Sequence, residues 1–292
     1  MKFRVWATVV EAFDYCWRER RAMVHFGWIP VGITLAVAIL LQIYGIDKSA
    51  VSAGTPDLRA SGAIMLTGLI QTLVYLSVSV TWYQKVVLGD SAARRRPVFT
   101  FGRLELRMLG WQFAAIGVFL VVIVIGALII SALYGALTAA GQAVAANVLV
   151  IVLGLALGLG VCVAAMRFAM IVVLVALDKP VALREAWRMT AGAGWRLVGA
   201  MILVMLAGAV LALVSHLLAL LVGMIGGIIA SVPADKIAPY VSLVTENLIG
   251  FLLFLVLATV FGMVYRMLTD NAVATETVIE TSFQEVLENP EQ

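Results

Sequence analysis

The chain of 292 residues is 63% apolar and only 13% charged, with a mean hydropathy of +1.06. Soluble domains run at roughly 45–50% apolar and about 25% charged, so a soluble globular fold is excluded and a polytopic membrane protein is indicated. Twenty Lys and Arg against seventeen Asp and Glu leave a net charge of +3, too balanced for a nucleic-acid binder.

The opening run Met1–Val10 carries Lys2 and Arg4 and leads to Glu11 and Asp14. No apolar signal-peptide core forms there, so membrane targeting is expected from the first span. The same segment repeats apolar residues at helical spacing. Trp6, Val9, Val10, Phe13, Cys16 and Trp17 share one face, with Arg4, Glu11, Asp14, Arg18 and Arg21 opposite. That pattern predicts an amphipathic helix in the headgroup plane, an elbow orienting the next span rather than a partner-binding groove. Cys16 and Cys162 are the only cysteines and form no disulfide framework.

A spanning helix needs about 20 mostly apolar residues. Six stretches qualify, at about 27–45, 62–88, 109–138, 146–176, 195–230 and 240–268. The third to fifth exceed a bilayer's needs and must tilt, protrude or break, with Ser215 and Gly226-Gly227 as the weak points. Seventeen of the twenty basic residues fall on one side of this arrangement, leaving Lys48, Arg59 and Lys236 on the other. The positive-inside rule then puts both termini in the cytosol, and the plasma membrane of a bacterium is the expected home.

Similar elements lead into the odd-numbered spans. Glu11–Arg18 leads to Gly27-Trp28, Arg103–Met108 to Gly110-Trp111, and Arg184–Met189 to Gly194-Trp195. The Gly-Trp pairs lie 83 and 84 residues apart. Arg and Trp at the inner boundary are what any such span wants, but the near-constant spacing reads as a repeat. The expected architecture is all-α: a single six-span domain over 1–269, made of three parallel-topology hairpins at about 1–90, 91–178 and 179–269, each preceded by an interfacial amphipathic helix. An acidic cytosolic tail follows over 270–292.

Motifs of catalysis are missing. His25 and His216 are the only histidines, no HExxH or GxxxxGK[ST] occurs, and Gly89-Asp90 lacks the second aspartate of a protease dyad. Neither a metal nor a cofactor is expected. One polar pair stands out, His216 in the fifth span and Glu246 in the sixth, placed at equal depth if the chain turns near Ser231-Val232-Pro233. An ionisable group inside a membrane costs about 2.5–3.5 kcal/mol even on the lenient scale. The pair therefore predicts either a cation gate that titrates near neutral pH or a plain hydrogen-bonded clamp. Gly154, Gly158 and Gly160 read as sites of close helix approach, and Arg167, near the inner end of the fourth span, as a residue that snorkels to phosphate.

The tail carries six acidic residues from Asp270 to Glu291 and no Lys or Arg. Val278, Ile279, Phe283, Val286 and Leu287 recur at helical spacing, which predicts a short amphipathic helix stopped by Pro290. It could dock on the basic cytosolic patch Arg94-Arg95-Arg96 or recruit a protein partner.

Two stretches carry a family resemblance. Leu183–Leu197, with Arg184, Trp187, Arg188, Thr190, Gly192, Trp195 and Arg196, resembles the "slreSWrLTrGnrWRLl" signature of YciC-like six-span bacterial membrane proteins. These are similar in turn to the membrane domain fused to some glycerophosphodiester phosphodiesterases. Trp82–Asp90 is similar to the "WhRfvLLGe" end of the second span in related sequences, with Gln84 in place of the basic residue and Lys85 next to it. The resemblance implies a six-helix inner-membrane protein and supplies no catalytic residues. Thr190 and Gly192 read as a helix end, with Gly192 free to turn left-handed before the fifth span.

The reading is a non-enzymatic protein that organises or assembles envelope components through protein or lipid contacts; the alternative is a small-molecule or lipid transporter. Membrane lipids are the expected partners, nucleic acid is not, and a homo-oligomer is compatible with the sequence.

Overall fold

The computed structural model of the chain describes residues 4–44, 58–93, 101–180, 183–230 and 234–288, and among them every regular element is a helix. The helices are α1 (Val5–Arg18), α2 (Arg20–Ile43), α3 (Leu58–Leu88), α4 (Asp90–Ala93), α5 (Arg103–Ala139), α6 (Ala143–Ala176), α7 (Leu183–Met189), α8 (Gly194–Ala230) and α9 (Ala234–Glu288). Six are long and apolar enough to cross a membrane: α2, α3, α5, α6, α8 and α9. Val and Ile are indifferent helix formers in water. In hydrocarbon the backbone must satisfy its own hydrogen bonds, so even the Val-rich run of α6 closes into a helix.

Several boundaries differ from the sequence reading. Helix α2 starts at Arg20, seven residues earlier than expected, because only Glu19 separates it from α1. The Glu19 amide donates to Tyr15 O and Met23 donates to Glu19 O, each at 2.9 Å, so the ladder barely pauses. The second expected elbow is no separate helix; Arg103–Met108 form the first turns of α5. The long spans do not break. Helices α5, α6 and α8 run through 37, 34 and 37 residues, about 51–56 Å at 1.5 Å per residue. Against a hydrocarbon core about 30 Å thick, the excess must tilt or protrude. The tail is likewise not a separate element: α9 runs through Asp270 to Glu288. No Gly or Pro lies between Gly262 and Pro290 to stop it.

The chain divides into two compact units, Met1–Gly102 with Ala200–Gln292, and Arg103–Gly199. In the first, α9 packs against α1, α2 and α3, and α2 against α3. Its core holds Val78, Val80 and Trp82 of α3 with Leu255, Val256, Val260 and Val264 of α9. Gly262 brings α9 close to α3, since a Cβ there would stand 2.7 Å from Val86 Cγ1. Helix α1 buries Thr8, Val9, Ala12 and Cys16 while Trp6, Val10 and Trp17 stay exposed. The apolar face read as one stripe is thus two, one packed inward and one facing out.

In the second unit α5 and α6 lie along each other and α7 packs on α6. Gly141, at φ +76°, turns the chain between the two long helices. Their close approach is at Gly126, where a Cβ would lie 2.5 Å from Leu157 Cδ2, whereas Gly154, Gly158 and Gly160 meet nothing within 4 Å. Gly192 adopts φ +78° between the end of α7 and the start of α8, the left-handed turn expected of it.

Candidate functional site

Among the described residues of the first unit, a dense polar cluster sits where α1 hands over to α2 and α3 to α4. Lys85, at 5% exposure, reaches Glu19 at 2.9 Å and also pairs with Asp90. Burying an ammonium is costly unless it is paired, and here two carboxylates compensate it. The cluster ties the α1–α2 joint to the end of the second candidate span. In the sequence Lys85 reads as one of the seventeen basic residues that set orientation and as a displaced basic residue beside Gln84; its partner Glu19, 66 positions away, carries no signal.

Beneath it lies a second network. Trp82 Nε1 donates to Thr259 Oγ1 at 2.9 Å, and Thr259 spends its one hydroxyl proton on Leu255 O at 2.8 Å. Cys16 Sγ, 3.4 Å from the same oxygen, must therefore act as the donor. Three helices meet at one threonine. Tyr15 stands edge-on to Trp82 with ring centroids 6.2 Å apart. Burial pushes the Tyr15 phenol up, against the pull of the nearby Lys85 charge, and burial likewise pushes the Cys16 thiol up to about 11. Both groups therefore stay protonated at neutral pH. No nucleophile is activated here.

His216 and Glu246 do not meet. Both are exposed, and the residues that touch across α8 and α9 are their predecessors, Ser215 and Thr245, through their hydroxyls. Ser215 and Thr245 lie one residue before His216 and Glu246 on their helices. One residue is 100° around a helix, which turns His216 and Glu246 away from that contact. The expected turn at 231–233 lies outside the described residues.

The signature segment of the second unit is built around Arg167 of α6. Its guanidinium lies 4.6 Å over the ring of Trp187 of α7, and Trp187 also packs edge-on against Phe168 with centroids 6.4 Å apart. Arg167 Nε is buried without a hydrogen-bond partner. A Cβ on Gly194 would stand 2.9 Å from that nitrogen, so glycine there leaves room for the guanidinium. Instead of extending freely along the helix, the side chain folds into a cradle. Thr190 is fully buried and donates to Ala186 O at 2.9 Å, closing α7. Arg184, Arg188, Trp187 and Trp195 are exposed and Arg196 is half-buried. Trp111 lines a shallow α5–α6 groove with Phe119 and Phe168, and Trp28 lines one of about 440 Å³ between α2 and α9. A stacked guanidinium gains about 0.5–2 kcal/mol from the ring, less than the roughly 2.5–3.5 kcal/mol that an arginine costs deep in a span.

The basic patch Arg94-Arg95-Arg96 lies outside the described residues. Among the described residues no group of three His, Cys, Asp or Glu is arranged to hold a metal. In comparisons with known proteins, no family model matches the chain and neither a curated protein nor a solved structure is detectably similar.

Proposed function

We propose that this multi-pass membrane protein is a non-enzymatic organiser, which assembles envelope components through contacts with other proteins or with lipid. In this reading it resides in the plasma membrane of a bacterium with both termini in the cytosol, as the basic residues direct. Its three hairpins, with the second elbow continuous with α5, follow the plan of the YciC-like proteins that its signature resembles. The acidic end of α9 is a further surface for a protein partner.

The observation that carries the reading is the α5–α6 pair. Over the middle of both helices, apolar side chains outside the seam between them are exposed. Ile116, Leu120, Ile123, Leu128, Ile151 and Leu155 are each more than 45% exposed. In a bilayer such a surface is met by lipid or by helices of another protein. The outward stripe of α1, Trp6 and Trp17, suits the headgroup region in the same way.

Photo-crosslinking tests this directly. A photoreactive residue at position 123 or 155, irradiated in native membranes, should give discrete adducts with a protein. Lipid adducts alone, together with solute accumulation by proteoliposomes of the pure chain, would replace the organiser with a transporter.

A further inference from the structure

We propose that Arg167 and the α7–α8 corner form a binding site for one phosphate-bearing anion, met in the membrane as the headgroup of an anionic phospholipid. Three observations converge on it. The guanidinium is anchored rather than loose, stacked on Trp187 and cradled at Gly194. It carries a buried Nε without a hydrogen-bond partner, and no ion pair reaches it among the described residues. A guanidinium keeps its charge, and among the described residues no carboxylate balances it, which leaves room for an anionic ligand. Arg184 and Arg188, which flank Trp187 on α7, and Arg196, two residues past Gly194, also lack ion pairs among the described residues. They add positive charge to the corner.

The depth of the site points to lipid. On α6 the side chains from Val144 to Leu159 are largely exposed and apolar, whereas Met170, Ile171 and Val173–Ala176 are buried by protein. Residues 143–166 measure about 36 Å along the helix, enough to cross the hydrocarbon core and put Arg167 at the level of the phosphates. Guanidinium forks match phosphate oxygens in two parallel hydrogen bonds, and an aromatic floor beside them suits the start of the acyl chains. Either an organiser or a transporter could use such a site, so it stands apart from the functional reading above.

The test is native mass spectrometry of the delipidated full chain titrated with phosphatidylglycerol, with phosphatidylcholine as the control lipid. The wild-type chain should retain one phosphatidylglycerol at least tenfold more tightly than phosphatidylcholine. Arg167→Gln should lose that preference, and Arg167→Lys should keep part of it. Millimolar inorganic phosphate should fail to displace the lipid; displacement by it would identify the free anion as the ligand of the same site. If Arg167→Gln does not fold, Gly194→Ala keeps the charge and disturbs the cradle, and it should weaken retention several-fold. Unchanged preference in whichever of these variants folds overturns the proposal.

Discussion

Removing the two acids around Lys85 should harm the protein more than removing Lys85 itself. Lys85 is 5% exposed, while the side chains of Glu19 and Asp90 are 36% and 57% exposed. A Glu19→Gln, Asp90→Asn double variant strands a buried ammonium, and stranding one partner of a buried pair costs about 3–5 kcal/mol. Because water reaches the rim of this cluster, the lower end, about 3 kcal/mol, is the expected loss. Lys85→Met leaves two carboxylates that water can solvate and an apolar chain of similar length in the core, so about 1 kcal/mol is expected. The triple variant should then recover most of what the double variant lost. Thermal unfolding in one lipid-nanodisc composition, followed by near-UV circular dichroism, gives the ranking. The reasoning is refuted if Lys85→Met proves the more damaging change or if the triple variant is simply the sum of the others.

Other substitutions probe the neighbouring contacts. Thr259→Val keeps the shape but leaves Trp82 Nε1 buried without an acceptor, for a loss of about 1–3 kcal/mol; Thr259→Ser should restore most of the melting temperature. Gly262→Ala forces a Cβ against Val86 and should cost about 1–3 kcal/mol, relieved when Val86→Ala is added. In a Cys162→Ala background, Cys16 should react with maleimide at pH 8 about a hundredfold more slowly than an ordinary thiol, because its value is raised to about 11. The sign for stability follows: a thiol with a raised folded value holds its proton more tightly when folded. Its stabilising contribution is full below the ordinary thiol range and falls as pH climbs through that range toward 11. Equal maleimide rates for folded and unfolded chain at pH 8 would contradict this.

Much of the fold was legible because hydrophobic length is a one-dimensional signal. All six spans were placed, with their N-terminal boundaries shifted by up to seven residues where elbow and span fuse, as at Arg20 and Arg103. Gly192 was legible because a glycine after a helix end has a specific backbone use. Contacts between spans were not legible. In an all-apolar helix nothing in the pattern fixes which side faces a neighbour, so His216 and Glu246 were paired when Ser215 and Thr245 were the residues in register. The same blindness hid Thr259, one hydroxyl among apolar residues, which turned out to join three helices. Nor does the pattern single out Gly126, where α5 and α6 come close, whereas Gly154, Gly158 and Gly160, which read as sites of close helix approach, meet nothing within 4 Å. Arg167 was visible as a charge, but its stacking on Trp187 depended on α7 folding back against α6.

The central claim, that the chain works by holding other components rather than by chemistry or transport, is tested most directly by native mass spectrometry after extraction straight from the membrane into nanodiscs. The account predicts a mass above that of the single chain by a stoichiometric protein, a foreign partner or a second copy, bound through the surface of α5 and α6. A bare single chain carrying only exchangeable bulk lipid would contradict it.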